Sequence, residues 1–358
     1  MEFEDIASGE GILNKDISDK FDRRKGIPFE PDNILYGKLR PYLKNWLFVD
    51  FKGIALGDFW VFKAIDTAPQ FIYYLIQTDK YQEAANLSTG TKMPRSDWNT
   101  VSSTEFTIPA DITEQTAIAN FFRTLDTTIT LHKRKLDCLK ELKVAYLQQM
   151  FPQNYESVPQ LRLSGFDGEW QERKLGEIVE RITRKNVNLE STLPLTISAQ
   201  HGLIDQAKFF DKQVASRDVS GYFLVKNGEF AYNKSYSNGY PWGAVKRLDK
   251  HEMGVLSTLY IVFTPTDVDS EFLVQYYETS NWHKEVSKRA AEGARNHGLL
   301  NIAPSDFFDT SLLIPTSVEE QIVIGKFFDN LNVQITTQRT RLNKLKQLKQ
   351  TYLKNMFI

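Results

Sequence analysis

The sequence predicts an α+β protein with a pseudo-twofold internal repeat. It has two globular mixed α/β domains, separated by two long helices packed as an antiparallel coiled coil. Three observations lead there. A segment of more than forty residues occurs twice at a constant offset of 206. That segment has helical periodicity throughout. The stretches before each copy mix short β-type runs with turn signals and resemble one another only sparsely.

The length of 358 residues suits two or three domains. The expected order is a globular domain over 1–107, a helix and linker over 108–157, a second globular domain over 158–313, and a second helix over 314–358. In the first domain, NILYGKLRPYL, KNWLFVDF and ALGDFWVF read as strands, and PQFIYYLIQTDKYQEAAN as helix. In the second, GYFLVKNGEFAYN, WGAVKRL and GVLSTLYIVF read as strands, followed by helical EFLVQYYETSNWHKEVSKRAAEG. ILYGK around Tyr36 resembles FAYNK around Tyr232, with a drifting offset.

The repeated helix opens with IPADITEQTAIANFFRTLDTTI at Ile108 and IPTSVEEQIVIGKFFDNLNVQI at Ile314. No residue is gained or lost between the copies, as expected of a rigid element that must keep its length. Steps of four and three from Ile118 give Phe122, Leu125, Ile129, His132, Leu136, Leu139, Lys143, Tyr146 and Met150. The second copy gives Ile324, Phe328, Leu331, Ile335, Gln338, Leu342, Leu345, Lys349, Tyr352 and Met356. This is a coiled-coil seam with polar interruptions at matching places, and such interruptions set register. A bundle helix with outward-reaching polar chains fits the same pattern. Asp111 to Glu114 and Ser317 to Glu320 have capping-box spacing. Each helix would run roughly 50 Å at 1.5 Å per residue, too long to dock only on its own domain.

Net charge is −1, which argues against strong unaided binding to nucleic acid. Basic residues nevertheless gather at the end, with Arg339, Arg341, Lys344, Lys346, Lys349 and Lys354 and no acid after Thr336. The single cysteine, Cys138, fits a reducing compartment and is expected to pack within the helix rather than react. Without a signal peptide or an apolar span, the chain is expected to be cytoplasmic. There is no Walker A run, no GxGxxG, no Asn-Pro-Pro-aromatic run and no HExxH or nucleophile elbow. A non-catalytic chain with no cofactor and no metal is therefore expected.

Together these features resemble the specificity subunit of a type I restriction-modification system (HsdS-like). The resemblance rests on the two matched helices with their IP, TEQ or EEQ, and FF-x-x-L openings. It rests also on the linker VPQLRLSGFDGEWQERKLGEI from Val158 to Ile178 and on STGTKMPR at 88–95. It implies that each globular domain is a target-recognition domain reading one half of a bipartite site in double-stranded DNA. The helices would act as spacer and dock two modification (methyltransferase) subunits, and restriction subunits would add nuclease and translocase activity. Two other readings stay open: a coiled-coil scaffold that does not bind DNA, and a decoy subunit reading one half-site.

Aligning GEGILN at Gly9 with HGLIDQ at His201 leaves Val158–Ser191 without a counterpart. The first domain is therefore expected to be shortened at its N-terminus, with apolar surface left uncovered.

Candidate DNA readers are basic, amide and aromatic side chains in turns, because Arg takes guanine bidentately and Asn or Gln takes adenine. In the first domain these are Lys38 and Arg40, with Thr91, Lys92 and Arg95. In the second they are Asn233, Lys234, Tyr236 and Asn238, with Arg295, Asn296 and His297. GARNHG holds the place in its repeat that TGTKMP holds in the first, which raises this pair above the rest. Exposed Lys and Arg are more often simply solvated, and Tyr236 also suits a core position.

Overall fold

A computed structural model describes residues 1–20, 24–87, 92–153, 156–198, 201–212, 214–235, 239–290 and 300–357. The chain forms two compact units, one joining Met1–Leu136 to Gln338–Ile358 and the other comprising Asp137–Thr337. Each long helix thus contributes part of its length to each unit.

The first unit begins with strands β1 (Ile27–Phe29), β2 (Ile34–Gly37), β3 (Trp46–Phe48), β4 (Gly53–Ala55) and β5 (Phe59–Phe62). Helices α1 (Pro69–Leu75), α2 (Asp79–Ala85) and α3 (Trp98–Ser102) follow, and then the long α4 (Ile112–Gln149). β2 is the centre of an antiparallel sheet in the order β3-β2-β5, and β1 pairs with β4.

The second unit contains β6 (Gln171–Lys174), α5 (Leu175–Ile178), β7 (Val179–Ile182), β8 (Leu195–Ser198), β9 (Gly202–Asp205) and α6 (Gln206–Phe210). Strands β10 (Phe223–Lys226), β11 (Phe230–Asn233), β12 (Ala244–Arg247), β13 (Met253–Leu256) and β14 (Ile261–Pro265) come next. Helices α7 (Ser270–Tyr276), α8 (Asn281–Arg289) and α9 (Pro304–Phe308), strand β15 (Ser311–Ile314) and the long α10 (Val318–Met356) complete the chain. The main sheet has the order β12-β11-β14-β7, beside the pairs β10-β13, β8-β9 and β6-β15.

The sparse β resemblance is a shared architecture. β3-β2-β5 in the first unit repeats β12-β11-β14 in the second. Tyr36 and Tyr232 sit on the two central strands and are both fully buried. Tyr36 meets Tyr81 of α2 edge-on at 5.3 Å, and Tyr232 stacks on Phe307 of α9 at 4.4 Å. Buried aromatic stacks of this kind hold the sheet to the helices behind it.

The repeated helix openings have a shared physical cause. Gln115 and Gln321, at equivalent positions, are both 2% exposed. Gln115 donates to the Pro109 carbonyl at 2.8 Å and accepts from the Ala68 amide at 2.8 Å. Gln321 does the same with the Pro315 carbonyl at 3.0 Å and the Asp269 amide at 2.9 Å. One buried amide thus ties the helix start to its own Ile-Pro entry and to the first turn of the helix beneath it, α1 or α7. A buried polar side chain needs such full satisfaction to be stable.

The capping boxes form only in part. Asp111 accepts from the Thr113 amide, one residue earlier than expected, and Ser317 accepts from the Glu320 amide at 3.3 Å. Glu320 does not turn back to its cap. Its carboxylate is held by Arg162 from the linker, at 2.8 and 2.7 Å. A buried carboxylate is satisfied better by a bidentate guanidinium than by one amide.

Within the first unit, Phe121 meets Tyr352 at 5.0 Å, and Phe122 meets Phe357 at 5.8 Å. Lys349 bridges to Asp126 at 2.6 Å, and Gln338 donates to the His132 carbonyl at 3.1 Å. Contacts descend along α10 as they ascend along α4, so the helices are antiparallel there. His132 and Gln338 are equivalent repeat positions that touch each other, as in a twofold pairing. Within the second unit, Tyr146 meets Phe327 at 5.0 Å. Of the expected seam, Phe122, Leu125, Leu136, Ile324, Phe328, Leu331, Ile335 and Leu342 are buried. Ile118, Ile129, Leu139 and Leu345 are half-buried.

Two expectations are revised. The long helices pair with each other and also dock on globular cores: Phe122 lies 5.1 Å from Tyr74 and joins its cluster. Cys138 is exposed on α4 rather than packed, because its position faces away from the seam.

Candidate nucleic-acid interface

The first unit brings its sequence candidates together. The segment around Leu39 bridges antiparallel to Arg95. The Ser96 amide donates to the Lys38 carbonyl at 2.8 Å, and the Arg40 amide donates to the Pro94 carbonyl at 2.7 Å. Two loops far apart in sequence thus form one basic edge. Asp58 organises it. Its carboxylate takes Arg95 at 3.0 Å and lies 3.9 Å from the Lys38 ammonium. The Asp58 hydrogen bond and charge raise the Arg95 pKa above its ordinary value.

Arg40 is exposed and makes no ion pair among the described residues. It has φ +49, and Lys44 has φ +55. Left-handed backbone at a residue with a Cβ costs of order 1–3 kcal/mol and tends to mark functional loops. Here it caps both ends of the short turn Pro41–Leu43 and turns two basic residues outward with Tyr42, which is 57% exposed. Lys92 is exposed nearby in sequence, and Thr91 lies outside the described residues.

The second unit repeats the backbone arrangement. The Leu300 amide donates to the Lys234 carbonyl at 2.9 Å, as Ser96 does to Lys38. Side chains differ. Lys234 is half-buried, and its ammonium donates to the Ile302 carbonyl at 3.3 Å. Burial lowers its pKa. Asn233 accepts from the Ser235 amide at 3.0 Å. Both groups therefore hold the loop rather than face outward. Tyr236, Asn238, Arg295, Asn296 and His297 lie outside the described residues.

Two surface features escaped the sequence reading. One is Tyr42 with Lys44. The other is α6, where Phe209 and Phe210 are 47% and 44% exposed beside Lys208 and Lys212. Exposed aromatics beside lysines suit stacking and phosphate contact. The runs RPYLKN and AKFFDK were the available signal. Among the described residues, no group of three His, Cys, Asp or Glu is placed to hold a metal ion. No described helix is long and apolar enough to cross a membrane.

Residues 18–141 match the family model for the type I restriction modification DNA specificity domain. Over that span the chain resembles a DNA specificity domain of this kind. The matched span contains the Lys38–Arg95 edge and most of α4.

The fold of the whole chain agrees. The type I restriction-modification system S subunit from M. genitalium aligns at a TM-score of 0.58 and 18% identity, covering 100% of this chain and 91% of that one. A chain solved in work on complex assembly and conformational transition of the type I R-M system aligns at 0.54 and 17% identity, covering 99% and 89%. At these identities the likeness is one of fold. A comparison with curated proteins gives no match.

Proposed function

We propose that this specificity chain reads a bipartite site in double-stranded DNA, one half with each recognition domain, spanning 1–107 and 158–313. Its long helices set the half-site spacing and carry two modification subunits. Restriction subunits join the same assembly, and the chain itself performs no chemistry. The observation that carries the reading is the repeated loop pairing, Lys38 with Ser96 and Lys234 with Leu300, at one place in two otherwise divergent domains. Arg40, Lys92 and Arg95 serve the first half-site; Arg295, Asn296 and His297, with Tyr236 and Asn238, serve the second. Thr91 joins the first group, and Lys38, Asn233 and Lys234 support these loops. With a net charge of −1, the purified chain binds DNA weakly until modification subunits enclose the duplex.

Mapping methylated adenines in cells with and without the gene tests this. A two-part motif that disappears with the gene is the expected result; an unchanged methylation map overturns it.

A further inference from the structure

The first unit holds a cleft of about 1190 Å³ between its globular part and its share of the long helices. Residues 8–12, Lys44, Trp46 and Tyr73 line one side, and α4 with the end of α10 lines the other. Small-molecule sites enclose roughly 300–1,000 Å³, so this volume suits an extended ligand better. Two of the lining cations are paired, Lys133 with Glu10 at 2.6 Å and Lys349 with Asp126 at 2.6 Å. That uses both acids of the lining. Four further cations, Lys44, Arg123, Arg134 and Lys346, are exposed and make no ion pair among the described residues. Trp46, Tyr73 and Tyr74 are buried behind them. A cleft with charges of one sign on low-dielectric walls focuses its field on an incoming counter-charge.

The repeat supplies an internal control. At the offset of 206, Arg123 corresponds to Asp329 and Arg134 to Thr340. Lys346 corresponds to Lys140, which pairs with Asp137 at 3.1 Å, whereas the counterpart of Asp137 is the uncharged Asn343. A cation needed only to build the helix would recur in both copies, as the seam residues Lys143 and Lys349 do. The free cations of the cleft are instead peculiar to the first unit. They also continue its basic edge. Lys44 ends the turn Pro41–Leu43 that Arg40 begins, and the Gly9 amide donates to the Lys44 carbonyl at 2.9 Å, which fixes that turn to the rim of the cleft.

We infer that this cleft seats one sugar-phosphate backbone of the DNA, beyond the bases that the first half-site presents. The inference rests on the DNA reading above and adds a site to it. Lys44, Arg123, Arg134 and Lys346 take phosphate oxygens, with no preference for sequence. Contacts of this kind fix register and orientation on the duplex and leave base choice to the reading loops. The first half-site is then gripped by more charge than the second, and more of the salt dependence of binding comes from it. Continuity with the Lys38–Arg95 edge favours DNA over an acidic protein segment as the occupant.

The test combines Arg123→Gln, Arg134→Gln and Lys346→Gln in the full chain, assembled with modification subunits. Fluorescence anisotropy is read on the mapped site and on a scrambled duplex over a range of salt. All three side chains are exposed, so the variant should melt as the parent does. Affinity for both duplexes should fall alike, the slope of log affinity against log salt should shrink by about 2.7, and the methylated motif should stay the same. Neutral methylphosphonate linkages beside the first half-site should weaken the parent and leave the variant unchanged; beside the second they should weaken both alike. Arg341→Gln with Lys344→Gln, exposed on α10 outside the cleft, should keep the parent slope. An unchanged slope in a normally melting triple variant overturns the inference, as does an equal loss in the Arg341–Lys344 control. Loss of modification subunits from the triple variant, read by size, overturns it in favour of an acidic protein segment. A methylation map indifferent to the gene would sink the DNA reading and the cleft together, whereas an unchanged slope beside a gene-dependent motif sinks the cleft alone.

Discussion

Replacing Arg95 by alanine separates reading from mere charge. The Arg95 side chain is 52% exposed and pairs with Asp58, 27% exposed, at 3.0 Å. An exposed pair of this kind contributes about 0.2–1 kcal/mol to stability, so the variant should fold and melt nearly as the parent. If Arg95 holds a base edge, specific affinity falls by about 1–3 kcal/mol, or roughly 5- to 150-fold. If it holds a phosphate, all sequences weaken alike, and the slope of log affinity against log salt shrinks by about 0.9. The assay is fluorescence anisotropy of the complex with modification subunits, on the mapped site and on a scrambled duplex, over a range of salt. Asp58→Asn is the reciprocal. It frees Arg95 and Lys38, so non-specific binding should rise, with a slope steeper by up to about 1.8. A normal melting curve for Arg95→Ala with unchanged affinity, motif and slope would remove the Lys38–Arg95 edge from the interface.

Arg295→Ala should lower specific affinity by the same roughly 1–3 kcal/mol if its loop reads a base, measured in the same assay. Phe122→Ala and Phe328→Ala, at equivalent fully buried positions, should each cost about 3–5 kcal/mol, read by urea unfolding. Lys349→Ala removes the bonds to Asp126 at 2.6 Å and to Gln77 at 3.0 Å, and should cost about 1.5–3 kcal/mol by the same method. Asp5 is fully buried; burial works to raise its pKa, but Lys20, the Glu2 amide and Lys15 together hold it below the ordinary value. Its folded value lies under its unfolded one, so the stabilisation is complete above about pH 4 and lost as pH falls further. The first unit should loosen in that acid window, and Asp5→Asn should remove that acid step; an unchanged acid transition in Asp5→Asn would refute the assignment.

Much of this protein was legible in its sequence. The constant offset of 206 announced two rods of equal length, because a helix tolerates no insertion without rotating every side chain after it. The strand runs around Tyr36 and Tyr232 were readable from apolar and aromatic content, since both strands are central and buried. Single-sequence periodicity could not say which polar group each buried side chain would find. Glu320 looked like a cap residue, and Gln115 and Gln321 drew no reading of their own, yet the partners of Gln115, Gln321 and Glu320 lie 47, 52 and 158 positions away. The same limit held at the basic edge. Lys38, Arg40 and Arg95 were chosen as types, but only the folded chain laces their loops together and assigns Asp58 to two of them. It also spends Lys234 on a carbonyl. Local pattern determines element type and length because it acts through neighbours three or four apart. Tertiary packing decides partners, because a buried charge or amide must be satisfied by whatever the fold brings within about 3 Å.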